Sequence, residues 1–241
     1  MKYYDNIQFP EKCRGYIDVT KAPYFADNTG HEDCTDIIVR ILDELTRSIY
    51  DGMRKAYEKM KTLPVGSYLG KNPVTENRIV DTEIVAMYPE ELDMLPVIYF
   101  PNGVYLVSDT LSYTHQHFSN MRYSRVVGGF ELNRCLRIMG QNRDKTIIRL
   151  KDNCKGFEYG NMRPVISFIR GETSNIAMSN YIENITVDVG SGNPGAVGID
   201  FFSNNTGAVR NVRIVSSDLE GAGAAGFYIS RASASGSYLW D

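Results

Sequence analysis

The side chains with chemistry to offer in this sequence are carboxylates and guanidinium groups in its second half. Asp188, Asp200, Asp218 and Glu220 stand in or beside short β-type runs. Carboxyl groups in pairs can divide general-acid and general-base work between them. Asp218 and Glu220 belong to the glycine-rich loop Asp218-Leu219-Glu220-Gly221-Ala222-Gly223, from which side chains can reach a groove. Asp188 and Asp200 are separated by one turn-containing segment, which leaves room for them on different faces. Arg210 and Arg213 can grip a carboxylate through two parallel N–H donors, or pair with neighbouring acids on an exposed face.

Other chemistry finds little support. Cys13, Cys34, Cys135 and Cys154 show no C-x-x-C spacing, and their shortest gap is 19 residues. With His31, His115 and His117 they form no metal knuckle, so reduced, partly buried thiols are the expectation and no metal site is assigned. No phosphate-binding loop, nucleophile elbow or H-E-x-x-H is present. Gly190-Ser191-Gly192-Asn193-Pro194-Gly195 is rich in glycine, but its Pro and Asn mark a turn of a winding chain rather than a phosphate cradle.

The chain has 241 residues, 43% of them hydrophobic and 23% charged, with a net charge of −3. That is enough apolar material for a core and too little net charge for wholesale disorder. Spread over the whole chain, its Lys and Arg residues leave no footprint for a nucleic-acid partner. No stretch reaches the roughly 20 apolar residues of a membrane helix, and the start lacks the apolar region of a signal peptide. Neither a nucleic acid nor a membrane is therefore expected as a partner, while oligomeric state and localisation stay open. Glycine is uneven: of 21 glycines, 15 follow residue 127.

Two periods organise the elements that must position these groups. Ile37, Ile38, Ile41, Leu42, Leu45, Ile49, Met53, Ala56, Tyr57 and Met60 recur at helical spacing. Asp33 or Thr35 can cap the start, Leu63-Pro64 closes the end, and Gly52 marks a place for a break. From Val97 the period becomes two. Val97–Phe100 and Val104–Val107 flank Pro101-Asn102-Gly103 as strand, turn, strand. Cys135–Met139, Thr146–Leu150, Val165–Ile169, Ile182–Val189, Val197–Phe202, Val209–Val215 and Ala225–Ile229 follow.

These strands repeat. Asn184-Ile185-Thr186-Val187 and Asn211-Val212-Arg213-Ile214 match at an offset of 27; Gly198-Ile199-Asp200-Phe201 and Gly226-Phe227-Tyr228-Ile229 match at 28. Cys135-Leu136-Arg137-Ile138 precedes the first of these by 49, near two shorter turns. The pattern predicts a β-solenoid, with a β-sandwich as the rival. Ile185, Val187, Val212 and Ile214 would point inward, and Thr186, Asp188, Arg213 and Val215 outward. Asn184 and Asn211 would sit at left-handed corners, with their amides bonded from coil to coil.

Four segments carry a family resemblance. Asp27-Asn28-Thr29-Gly30-His31-Glu32-Asp33-Cys34-Thr35, running into a helix, resembles the acidic opening of the pectate lyase superfamily, without its second glycine. Tyr99–Leu106 is similar to its Y-F-P-x-G-x-Y hairpin, and Arg137–Ile148 to its following turn. Asn184–Asp188, Gly192–Phe201 and Val209–Val212 resemble its rungs. The closest pattern is the rhamnogalacturonase/epimerase-like, pectate-lyase-3 branch. The resemblance implies an all-β, right-handed, single-stranded parallel β-helix, pectin-lyase-like, whose N-terminal end is covered by an amphipathic helix. It divides the chain into residues 1–64 (N-terminal segment and capping helix), 65–96 (insertion or flap) and 97–241 (rungs), with more coils expected beyond Asp241.

The resemblance also implies a polysaccharide or oligosaccharide substrate, cleaved by glycoside hydrolysis or by β-elimination from a uronate. Hydrolysis takes two carboxyl groups. Elimination takes a base at the sugar α-carbon, with calcium or arginine neutralising the carboxylate. Asp188, Asp200, Asp218 and Glu220 are the catalytic candidates, and Arg210 and Arg213 the substrate-binding ones. No resident cofactor is implied, except calcium in the case of a lyase. In the resembled enzymes catalytic groups generally lie on later rungs, so this chain alone is expected to show little activity. A non-catalytic scaffold, adhesin or tailspike-like binding module is the alternative.

Overall fold

The computed structural model describes residues 6–10, 13, 15–45, 97–112, 136–168, 178–201, 203–229 and 239–240. Three parallel sheets make up the described residues. The first runs β1 (Tyr16–Asp18), β3 (Val97–Phe100), β5 (Arg137–Gly140), β8 (Met178–Glu183), β11 (Asn204–Arg210) and β14 (Leu239–Trp240). The second runs β2 (Thr29–Asp33), β4 (Gly103–Val107), β6 (Thr146–Leu150), β9 (Thr186–Asp188) and β12 (Arg213–Val215). The third holds β7 (Arg163–Ser167), β10 (Ala196–Asp200) and β13 (Ala225–Tyr228). From β5 onward the chain visits first, second and third sheet in turn, and each strand pairs in parallel with its equivalent one coil away. This winding is a parallel β-helix.

Alternation explains why these residues form it. One side chain in two points inward, and equivalent positions stack. Ile17, Ile98, Ile138 and Ile182 form one inward row on the first sheet. Tyr105, Ile148, Val187 and Ile214 form another on the second, and Ile166, Ile199 and Phe227 a third. Each fully buried Ile or Val removes apolar surface worth about 1.5–3 kcal/mol from water. Ile185 and Val187 are buried as expected, Val212 and Ile214 half-buried, and Arg213 and Val215 exposed. Thr186 and Asp188 face out yet are covered: the Thr186 hydroxyl donates to the Arg143 carbonyl, and Asp188 accepts from the Ser217 amide.

Asn184 and Asn211 take φ of 61° and 48°, and the Asn211 amide donates to the Asn184 side-chain oxygen across the 27-residue repeat. The corner ladder is therefore present. It also splits two predicted strands: Ile182–Val189 becomes β8 and β9, and Val209–Val215 becomes β11 and β12. Pro101-Asn102-Gly103 is a corner as well and not a hairpin turn. β3 and β4 belong to different sheets, and each pairs in parallel with other coils. Gly103 is required there, since its φ is 148° and a Cβ would lie 2.3 Å from the Asn28 carbonyl oxygen. The offset of 49 is corrected too: Arg137 registers with Tyr181 and Leu136 bonds Asn180, a separation of 44 within one coil of variable loop length.

The helix, α1, is described over residues 35–45. Asp33 accepts the Thr35 amide at 2.9 Å where it begins. Ile38, Ile41, Leu42 and Leu45 are buried in the same core as the inward rows. Since β1 and β2 are end strands of their sheets, α1 covers the N-terminal end of the solenoid, where bare edges would otherwise invite pairing. The rest of the predicted stripe (Ile49, Met53, Ala56, Tyr57, Met60), the Gly52 break, the 65–96 flap, Cys135, and most of the final Ser- and Ala-rich stretch lie outside the described residues. Cys34 and Cys154 are buried free thiols and Cys13 a half-buried one. No helix among the described residues is long and apolar enough to cross a membrane.

Candidate functional site

The outer face of the third sheet gathers polar groups in register. Ile166, Ile199 and Phe227 point into the core, so their neighbours Ser167, Asp200 and Tyr228 form the outward row. Leu111 bridges to Ile166, which places Ser112 at the foot of that row. Tyr228, at its far end, is 41% exposed, whereas Ser112, Ser167 and Asp200 are buried.

At the other end the row opens into a cleft of about 700 Å³. Three separate stretches of chain line it. Asp33, Thr35 and Asp36 come from the start of α1; Ser108, Asp109, Thr110 and Ser112 follow β4; Arg163, Pro164 and Ser167 belong to β7. β4 lies beside β2 in the second sheet, so the segment leaving β4 passes the helix start on its way to the third sheet.

Hydrogen bonds hold the cleft's charged groups in place. The Asp33 carboxylate accepts the Thr35 hydroxyl at 2.6 Å, and that hydroxyl oxygen accepts the Ser108 amide at 2.8 Å. Burial acts to raise the Asp33 pKa, but the Ser108 and Thr35 donors, with Lys151 nearby, outweigh it and hold the carboxyl below its ordinary value. Arg163 forms an ion pair with Asp109, donates from Nε to the Thr110 hydroxyl at 3.3 Å, and lies 5.0 Å from the Phe157 ring centroid. The Thr110 hydroxyl in turn donates to the Pro164 carbonyl at 2.6 Å. The result is a polar, acid-rich wall of carboxylates and hydroxyls with one fixed guanidinium.

Of the residues expected from sequence, only Asp200 joins this face. Asp188 sits on the second sheet, where it forms an ion pair with Arg149 and accepts from Gly190 and Ser217. Asp218 accepts the Gly192 amide at 2.8 Å, a bond that leads the causes lowering its pKa, and so ties two coils' loops together. Glu220 is exposed in the same loop. Arg210 and Arg213 lie on different sheets, paired with Glu183 at 3.1 Å and Asp144 at 3.2 Å. The structure thus places Asp188, Asp218, Arg210 and Arg213 in contacts between coils. Sequence reasoning did not pick out Asp36, Asp109 and Arg163, and it took Asp33 only for a cap. The available signal was the acidic run into the helix together with Asp109 two residues beyond a strand.

Among the described residues, no group of three or more His, Cys, Asp or Glu side chains could hold a metal ion, so no step is routed through one.

Comparison with known proteins agrees with this architecture. The family model described as Rhamnogalacturonase A/epimerase, pectate lyase-like matches residues 23–241. No curated protein matches the chain. Parallel coils, a helix over their first end and a match across nearly the whole chain lead to one conclusion: the protein belongs to the rhamnogalacturonase A/epimerase, pectate lyase-like family of carbohydrate-active β-helix proteins.

Proposed function

We propose that the protein binds a polysaccharide along the outer face of the third sheet and hydrolyses it in the cleft beside α1. The observation that carries this reading is the convergence of Asp33, Asp36 and Asp109 on one cleft that continues into the Ser167–Asp200–Tyr228 row. Hydrolysis takes one ionised and one protonated carboxyl across the scissile bond. Asp33 is held ionised by its donors, which suits it to the base or nucleophile side. Asp36 is the partner for the acid side, since Asp109 is ion-paired with Arg163.

Charge favours hydrolysis over elimination. Three carboxylates face one guanidinium, and Arg163 is already paired with Asp109. A uronate entering that wall would meet three carboxylates, against a paired Arg163 and the nearby Lys151. A neutral sugar would meet no such repulsion. Release of reducing ends from neutral glycans and pectins by the parent chain and by Asp33→Asn, Asp36→Asn and Asp109→Asn tests the activity. The variants that remove the base and the acid should lose about 10²–10⁴ in rate, the usual worth of a positioned acid or base. An unsaturated, ultraviolet-absorbing product from polygalacturonate would establish elimination instead.

One observation favours the non-catalytic alternative: Asp33 and Asp109 already have protein partners. Under that reading the parent binds glycan without turnover, and Tyr228→Ala weakens binding.

A further inference from the structure

We propose that the turn between β1 and β2 is a self-association surface, on which a second copy of this chain docks about a two-fold axis. The two solenoids would meet at their helix-capped ends. The inference goes beyond the glycan reading and stands independently of it.

The turn presents an apolar side chain from a strained backbone. Phe25 has a φ of 56°, in the left-handed region that a bulky residue enters only at a cost. That strain gains the fold no packing, since Phe25 is 67% exposed. An outlier of this kind persists where its surroundings over-determine it, and it points to a task for the side chain. Here the surroundings are firm. The Tyr24 and Phe25 amides both donate to the Lys21 carbonyl, and the amide of buried Ala26 donates to the carbonyl of buried Val19. Arg40 of α1 donates to the Pro23 carbonyl at 3.2 Å and lies 5.2 Å from the Tyr24 ring centroid. The Phe25 ring is therefore held out from a fixed base, with exposed Ala22 and Pro23 beside it.

Charge indicates the occupant. Lys21 is exposed, and no carboxylate among the described residues pairs with it. Glu44 on α1 is exposed too. One of its oxygens accepts the Tyr24 hydroxyl at 2.8 Å, while the other meets only the Arg40 Nε, 3.8 Å away. An unpaired cation and a half-committed carboxylate thus share one patch with an apolar knob. Such a patch complements itself when turned about a two-fold axis: Phe25 packs on Phe25, and each Lys21 meets Glu44 of the second copy. A partner of a single charge sign would leave either Lys21 or Glu44 facing like charge.

Sedimentation velocity of the full chain across the micromolar range tests the proposal, and the mass should rise from one copy toward two. Phe25→Gly should weaken association about tenfold or more, as loss of a central aromatic anchor does. Its melting temperature, taken where the parent is a single copy, should not fall, because glycine relieves the left-handed strain. Lys21→Glu and Glu44→Lys should each weaken association by setting like charges opposite one another. An equimolar mixture of those two variants should recover dimers that hold one copy of each. Mixing cannot repair a variant that has merely failed to fold, so recovery is particular to a two-fold contact. The proposal is overturned if the parent stays a single copy or grows beyond two, or if the mixture fails to recover the dimer. It is equally overturned if Phe25→Gly associates as the parent does, or if it melts below the parent, which would show that the ring packs within its own chain.

Discussion

Asn184 ties three coils of the solenoid together. Its backbone sits in the left-handed region, its amide donates to the Gly140 and Gln141 carbonyls, and its side-chain oxygen accepts Asn211 from the next coil. Asparagine is suited to both tasks, since it tolerates that backbone and carries donor and acceptor together. Asn184→Ala is expected to cost about 2–4 kcal/mol, from left-handed strain plus buried carbonyls left unpaired. Asn184→Gly should recover the backbone part only, and the two can be separated by urea unfolding. A loss below about 1 kcal/mol for the alanine variant would show that the ladder is not under tension from its neighbours. This residue was legible from sequence because corner and ladder leave the same mark, an asparagine repeated at the coil period. Asp33 was legible only as a helix cap. Its second role depends on Ser108 and Thr110 arriving from a segment more than 70 residues away in sequence, which no local pattern records.

At the scale of elements, α1 explains how the first coil ends. Ile41 is wholly buried, flanked by Ile38, Leu42 and Leu45, whereas Arg40 faces solvent beside Tyr24 and Glu44. Ile41→Ala should cost about 2–5 kcal/mol, as truncations in a packed core do. Arg40→Ala should cost less than about 1 kcal/mol, because exposed pairs contribute little. Unfolding midpoints of the two variants would check this; near-equal values would mean that the helix does not close the core. Strand positions along the rungs were legible from their alternation, but their partners were less so. Pro-Asn-Gly between two apolar runs is the same text in a hairpin and at a β-helix corner. Whether the next strand folds back or moves to another sheet is decided by coils that lie far off in sequence, here Asn28 against Gly103. The 44-residue coil likewise hid its period, because its length lies in loops while the stacked strands stay short.

For the whole molecule, the loops between coils are held by carboxylates, and this makes stability depend on pH in a defined direction. Asp27 accepts amides from Glu32, Thr29 and His31, Asp144 bonds Arg143, Glu158 accepts Gly156, and Asp218 accepts Gly192; each is held below its ordinary value by that first contact. Asp33 joins them, with hydrogen bonds outweighing burial. In the folded chain these groups release their protons more readily than in the unfolded chain, whose values are 3.8 for Asp and 4.5 for Glu. Acid therefore favours the unfolded state: the stabilisation is present above those values and is lost as pH falls through the lower folded ones. The opposite holds in alkali. Burial pushes the Cys34 thiol up to about 11 and the Tyr24 and Tyr99 hydroxyls up to about 12, so their protonated forms favour the fold until pH climbs through that range. The melting temperature should thus form a plateau across neutral pH, drop below about pH 4 and drop again above about pH 9. Asp218→Asn should flatten the acid limb while lowering the plateau, since it removes one linked proton together with the bonds to Gly192 and Ser191. Glu220→Gln, exposed in the same loop, serves as the control. A melting temperature that stays level from pH 5 down to pH 3, or an acid limb unchanged in Asp218→Asn, would show that the carboxylates holding the loops are not what acid attacks.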